Sequence, residues 1–193
     1  MTNEAQLNKA QLDEANEAKE VKEAKEANAV GEAVGRSVRV NFAKAAPKAF
    51  KALIGFDAAA REGLDPALVE LVQIRSSQLN KCAYCLHMHT TDARKAWGHL
   101  PAVAGGESEE RLHMVAVWQE APHFFTAKEQ AALALTEAVT LVAQGGVPDA
   151  VYQRAATHFD EPELARLLAL IFTINTWNRL ALSTGKVAGT DER

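Results

Sequence analysis

The sequence contains few cysteines, few aromatic residues and no long apolar segment. Only two of the 193 residues are cysteine, Cys82 and Cys85, and only 6% are aromatic. A disulfide that closes so short a loop restricts the unfolded chain little, so this pair cannot staple a fold. No apolar run reaches the roughly 18–20 residues that span a bilayer, so we expect no membrane partner. The amino terminus lacks the apolar core of a secretory signal, which predicts a cytoplasmic location.

The chain also lacks an excess of positive charge. It has 21 Lys and Arg against 25 Asp and Glu, for a formal net charge of −4. A nucleic-acid binder would usually carry a basic patch, so we expect no nucleic-acid partner. The 48% hydrophobic content is typical of globular proteins. The length suits one globular domain with an appendage.

Residues 1–35 differ in composition from the rest of the chain. They consist mostly of Ala, Glu, Lys and Asn, and Glu and Lys recur three and four positions apart, as in a helix. The apolar residues form no continuous stripe, so a helix here would have little to pack against. We predict an exposed extension, helical or disordered, followed by a folded domain over residues 36–193.

Helical patterns dominate the remainder of the chain. A segment that starts at Pro47 carries Phe50, Leu53, Ile54 and Ala58 on one face. Capping patterns mark three further helix starts, at Asp65 with Pro66, at Thr126 with Glu129, and at Asp160 with Pro162. The helix after Thr126 is expected to continue to Gln144, before a glycine pair. No stretch alternates strictly as a half-buried strand would, which predicts an all-α domain of about six or seven helices.

Chemistry-bearing residues are concentrated between positions 70 and 89. Cys85 and His89 are four residues apart, so they share one face of a helix. Cys85 would lie in the first turn, where unpaired N–H groups and the helix dipole favour the thiolate. Cys82 lies near the helix start, where its sulfur can approach that of Cys85. Its attack on an oxidised Cys85 would form a disulfide and release water, as in a thiol peroxidase.

Glu70 is the candidate proton donor and acceptor on the preceding helix. A carboxylate on an antiparallel neighbour helix could face His89 and pass protons to it. The alternative for Glu70 is a solvated or ion-paired helix residue, with Arg75 as a candidate partner.

The pattern of these residues resembles the active-site signature of the AhpD-like alkylhydroperoxidases, within the carboxymuconolactone decarboxylase superfamily. The signature comprises Glu70, Ser77, Gln78, Asn80, Cys82, Tyr84, Cys85 and His89. Residues 133–149 and 174–179 resemble the same family, and the likeness covers roughly residues 38–185. The resemblance implies an all-helical fold and a homo-oligomer, commonly a trimer or a hexamer. It also implies reduction of a hydroperoxide substrate at the expense of an external dithiol or thiol, without metal, haem, flavin or other cofactor.

The resemblance also implies a role for each site residue. Cys85 corresponds to the peroxidatic cysteine and Cys82 to the resolving one, while Glu70 and His89 correspond to the proton-relay pair. Tyr84 stands where the best-known peroxidases of the family carry a second histidine. It could orient a thiol, line the pocket or simply pack.

Other interpretations of the same residues are possible. Cys82, Cys85, His87 and His89 are four nominal zinc ligands, although structural zinc sites usually draw ligands from two separated segments. The scaffold could instead serve a decarboxylase or lactone-processing enzyme, or a non-enzymatic redox sensor. Trp177, Asn178 and Arg179 are expected to belong to the core or an interface rather than the site.

Overall fold

The computed structural model describes residues 39–97 and 108–190, together with Lys22, Lys25 and Ala29. These three isolated residues are helical and exposed, and the rest of the predicted extension lies outside the described residues. The two ranges form α1 (Phe42–Ala45), α2 (Pro47–Arg61), α3 (Pro66–Leu79), α4 (Ala83–Trp97), α5 (Ser108–Met114), α6 (Ala127–Thr140), α7 (Asp149–Ala156) and α8 (Glu161–Thr184). No strand occurs within these ranges, which confirms the all-α prediction. None of the helices in the described part of the chain is long and apolar enough to cross a membrane.

The predicted helix starts are present. The Asp65 side chain accepts the N–H of Ala67 at 2.8 Å, and the Asp160 side chain accepts that of Glu163 at 2.8 Å. Thr126 and Glu129 form the reciprocal capping box. These bonds satisfy N–H groups that have no partner within their own helix, and each cap is worth about 1 kcal/mol.

One helix ends earlier than the sequence predicts. The α6 helix stops at Thr140 rather than Gln144, and a 3₁₀ turn over Val142–Gln144 precedes the glycine pair. Such a turn tightens the chain and satisfies terminal carbonyl groups. A 3₁₀ turn over Val115–Val117 follows α5, and the Arg75 guanidinium donates a hydrogen bond to the carbonyl oxygen of Ala116 at 3.2 Å.

The α3 helix lies at the centre of the molecule and is buried on nearly all sides. Leu71 and Ile74 pack against α4, α5 and the 3₁₀ turn that follows α5, while Leu68 and Val72 pack against α6, α7 and α8. A helix that is apolar on most sides must be enclosed by others, and each fully buried aliphatic side chain contributes about 1.5–3 kcal/mol. The polar residues of α3 are therefore held among packed helices rather than in water.

A tight turn joins α3 to α4 and forms a helical hairpin. The N–H of Cys82 bonds the carbonyl of Ser77 at 2.9 Å, and that of Lys81 bonds Gln78 at 3.1 Å. This pair of bonds is the Schellman arrangement, which needs a left-handed residue between the helices. Lys81 takes that conformation, with φ of 57°, although glycine is the usual residue there. The turn places Cys82 immediately before α4.

Three asparagines tie this turn to α8. The Asn80 amide donates to Oδ1 of Asn178 at 2.9 Å and to Oδ1 of Asn175 at 3.0 Å. The Asn178 amide donates in turn to Oγ of Ser77 at 3.1 Å. Asn178 is completely buried, so its predicted place in the core is confirmed.

Replacing Asn178 with alanine is expected to lower the free energy of unfolding by about 2–4 kcal/mol, because buried polar groups of Asn80 and Ser77 lose their partners. Thr176→Ala, at an exposed position of the same helix, is the matched control and should change it by less than about 0.5 kcal/mol. Guanidinium denaturation of both variants measures the difference. Equal effects would contradict the anchoring role of Asn178.

Candidate active site

The two cysteines lie at the amino-terminal end of α4 and form a disulfide with each other. Cys82 directly precedes the helix, and its sulfur accepts the N–H of Cys85 at 3.4 Å. Its carbonyl accepts the N–H of Leu86 at 2.9 Å, so Cys82 occupies the capping position. In the reduced protein, the positive end of the helix dipole would favour the thiolate form of this pair.

A cavity of about 520 Å³ opens beside the pair. Cys85 lines this cavity and Cys82 does not, although both residues are 1% exposed. The volume lies within the range of small-molecule sites. A molecule in the cavity would therefore meet the sulfur of Cys85 first.

The cavity wall is mainly apolar and is formed by α1, α2, α4 and α8. Phe50 and Ile54 of α2 face it, and Trp177 and Leu180 of α8 lie opposite. The Phe50 and Trp177 rings meet edge to face, with centroids 5.6 Å apart. Trp177, expected in the core or an interface, lines the cavity. The apolar face of α2 also lines it, and Ala60 is the one residue of that helix that is buried.

Glu70 and His89 meet behind the cavity wall. The Oε2 atom of Glu70 lies 3.1 Å from Nδ1 of His89. Both residues are buried, with exposed fractions of 8% and 3%, and His89 also lines the cavity. An ionised Glu70 accepts a hydrogen bond from Nδ1–H, which leaves Nε2 as the basic nitrogen of the ring. The structure thus brings Glu70, His89 and Cys85 to the same cavity region.

The α2 helix adds two charged residues that the sequence did not single out. Nε of Arg61 donates to Oδ2 of Asp57 at 2.7 Å, and Nη1 of Arg61 lies 3.9 Å from Oε1 of Glu70. Asp57 and Arg61 both line the cavity. Their spacing of four residues was the available signal, but such acid–base pairs are common on helix surfaces. The Arg61 cation helps to compensate the buried charge of Glu70.

Glu70 is an ion-paired residue, as one alternative predicts, but its partners are His89 and Arg61 rather than Arg75 or solvent. Glu70 is buried rather than solvated, and Arg75 pairs with Glu137 instead, at 2.7 Å. The Trp118 indole and the Gln119 amide bond the same Glu137 carboxylate, at 2.7 and 2.8 Å. Arg75 therefore belongs to a structural network on the far side of α3.

Tyr84 lies at the cavity, next to Cys85 in the chain. Its ring lines the wall, and Nζ of Lys186 lies 5.8 Å from the ring centroid. This position agrees with the pocket-lining alternative for Tyr84.

The four donors of the alternative zinc site do not converge. The two sulfurs are bonded to each other, His89 contacts Glu70, and His87 lies at an exposed position. Another set does come together, because donor atoms of Glu70, His89 and Asp92 lie within 4.8 Å of one another. Its carboxylates already have cationic neighbours: Arg61 beside Glu70, and Lys95 at 3.8 Å from Asp92. These contacts favour a network of ion pairs and hydrogen bonds over a metal centre.

Comparisons with known proteins agree with this architecture. The sequence model of the carboxymuconolactone decarboxylase family matches residues 44–138. The uncharacterized protein YdfG of Bacillus subtilis is 36% identical over 155 residues, which are 80% of this chain and 99% of that protein.

Two solved structures share the fold. A protein of unknown function from Agrobacterium tumefaciens, described as a candidate AhpD antioxidant defence protein, is 32% identical with a TM-score of 0.71; the match covers 80% of this chain and all of that one. An uncharacterized peroxidase-related protein from Ralstonia eutropha, described as having an alkylhydroperoxidase AhpD core, has a TM-score of 0.61 at 19% identity, over 87% and 85% of the two chains. The chain therefore belongs to the carboxymuconolactone decarboxylase family, as an AhpD-like member.

Proposed function

We propose that the protein is a thiol-dependent peroxidase that reduces hydroperoxides through Cys82 and Cys85. The observation that carries the proposal is the disulfide pair at the start of α4, with one of its sulfurs on a cavity that His89 also lines. Each element needed for peroxide reduction has a candidate here: a nucleophile, a resolving thiol and a proton-transfer group.

In the proposed reaction, the Cys85 thiolate attacks the terminal oxygen of the hydroperoxide. The O–O bond breaks, the sulfur becomes a sulfenic acid, and the remaining alkoxide takes a proton to leave as an alcohol, or as water from hydrogen peroxide. The Cys82 thiolate then attacks the sulfenic sulfur, which forms the disulfide and releases water. An external dithiol or thiol restores both cysteines by exchange and is itself oxidised to a disulfide.

His89 is the proposed proton-transfer group in this scheme. It would take the Cys85 thiol proton at Nε2 and return it to the departing alkoxide, while Glu70 stabilises the imidazolium between the two steps. The 3.1 Å contact between Glu70 and Nδ1 supports this assignment because it orients the ring. Arg61 positions Glu70, and Tyr84 shapes the wall next to the nucleophile.

We further propose that the protein acts as a cytoplasmic homo-oligomer, a trimer or a hexamer, with no cofactor. A second apolar cleft supports self-association: it includes Val142, Tyr152 and Phe172, which are 54%, 40% and 49% exposed. Exposed apolar clusters of this kind are typical of interaction surfaces. The proposed partners are the hydroperoxide, the thiol reductant and further copies of this chain, with no membrane or nucleic acid.

Substituting the cysteines one at a time separates their roles. With excess dithiol, Cys85→Ser should reduce peroxide consumption to background. Cys82→Ser should still consume one equivalent rapidly, because its Cys85 forms the sulfenic acid, but its steady-state rate should fall. Stopped-flow peroxide consumption measures both phases. Wild-type peroxide turnover in both variants would contradict the mechanism. No peroxide consumption by the wild type, with both thiols titratable, is the result expected of a decarboxylase-type enzyme with incidental cysteines.

Removing the proton relay should slow the chemical step without removing the thiols. His89→Asn and Glu70→Gln are each expected to lower kcat by about 10²–10⁴-fold, the usual worth of general acid–base catalysis. His87→Asn is the matched control, since His87 is exposed on the same helix and does not line the cavity. Steady-state kinetics, with thiol titration and circular dichroism to verify folding, give the comparison. If folded His89→Asn matches the control, His89 is not the proton-transfer group.

A further inference from the structure

A lysine stands at the cavity with its position fixed by the end of α8. Gly185 adopts a left-handed conformation with φ of 74°, and the next N–H, that of Lys186, bonds the carbonyl of Ala181 at 2.9 Å. This hydrogen bond closes the helix, and Lys186 lines the cavity. The Lys186 ammonium lies over the Tyr84 ring, and Val187, the residue after it, is buried.

Among the residues that the structure describes, no acidic neighbour compensates the charge of Lys186. Among the described residues, the Asp, Glu, Lys and Arg side chains that line the cavity are those of Asp57, Arg61 and Lys186. The Arg61 guanidinium is committed to Asp57 at 2.7 Å and lies 3.9 Å from Glu70. Within the described residues, no carboxylate forms an ion pair with Lys186, whose side chain is exposed. The cavity therefore combines one available cation with a mainly apolar wall.

We propose that this cavity binds an amphipathic carboxylate and that the substrate is a hydroperoxide of an apolar carboxylic acid. The hydrocarbon part would pack against Phe50, Ile54, Trp177 and Leu180, and the carboxylate would pair with Lys186. The hydroperoxide group would then reach Cys85, which follows Tyr84 in the chain. Turnover of this ligand rests on the proposed peroxidase function, whereas its binding does not.

The proposed preference for a carboxylate depends on the local charge of Lys186 rather than on the net charge of the molecule. The chain has a formal net charge of −4, which repels anions at long range. A carboxylate must therefore gain its affinity from close contact with Lys186 while its apolar part leaves water. An uncharged molecule of the same shape would gain only the second contribution.

Binding is tested on the oxidised protein, which does not react. Isothermal titration calorimetry compares dodecanoic acid, below its micelle concentration, with its methyl ester. We expect the acid to bind at least about tenfold more tightly to the wild type. Lys186→Met should lose this preference and Lys186→Glu should reverse it, while Lys51→Met, at an exposed lysine of α2, should keep it. Equal binding of acid and ester by the wild type, or an unchanged preference in folded Lys186→Met, would overturn the proposal.

Turnover is tested with an unsaturated fatty acid hydroperoxide and its methyl ester. The wild type and Lys51→Met should show a kcat/KM about tenfold higher for the acid, and Lys186→Met should not. If acid and ester are reduced alike, the substrate class is wrong while the peroxidase function stands. If the acid binds through Lys186 and no hydroperoxide is reduced, the binding site stands while the peroxidase function fails.

Discussion

The hydrogen bonds between the α3–α4 turn and α8 are the constraint on which the site depends. Asn80 and Asn178 hold a turn that contains a left-handed lysine and directly precedes the cysteine pair. Because the turn is fixed, α4 begins at a defined place and Cys85 falls within its first helical turn. The same hairpin sets the register that brings Glu70 opposite His89. One polar anchor therefore positions both the proposed nucleophile and its proposed proton relay.

The site places a series of paired polar and charged side chains beside an apolar cavity. The charged groups form a continuous series of contacts, from Asp57 to Arg61, from Arg61 to Glu70 and from Glu70 to His89. Buried charges are tolerated in this way because each has a partner of opposite charge or a hydrogen bond. The apolar walls exclude water and so strengthen the electrostatic interactions between these paired side chains. This combination suits proton transfer to an organic substrate.

The sequence predicts the helices and their starting residues well, but it does not predict the cavity. The helix starts at Asp65, Thr126 and Asp160 were predictable because capping depends on residues three or fewer positions apart. The pairing of Glu70 with His89 followed from the likeness to a known signature. The cavity did not follow, because an apolar helix face that lines a cavity has the same pattern as one in a packed core. Lys186 and Arg61 gain significance only from that cavity.

The most direct test of Cys85-based peroxide reduction is the stoichiometry of a single turnover. Fully reduced protein is mixed with one equivalent of hydroperoxide in the absence of reductant, and the alcohol formed and the thiols remaining are both counted. One alcohol should form for every two thiols lost, with peptide mapping placing the new disulfide between Cys82 and Cys85. Unconsumed hydroperoxide with both thiols intact, or alcohol formed without thiol loss, would contradict the proposed chemistry.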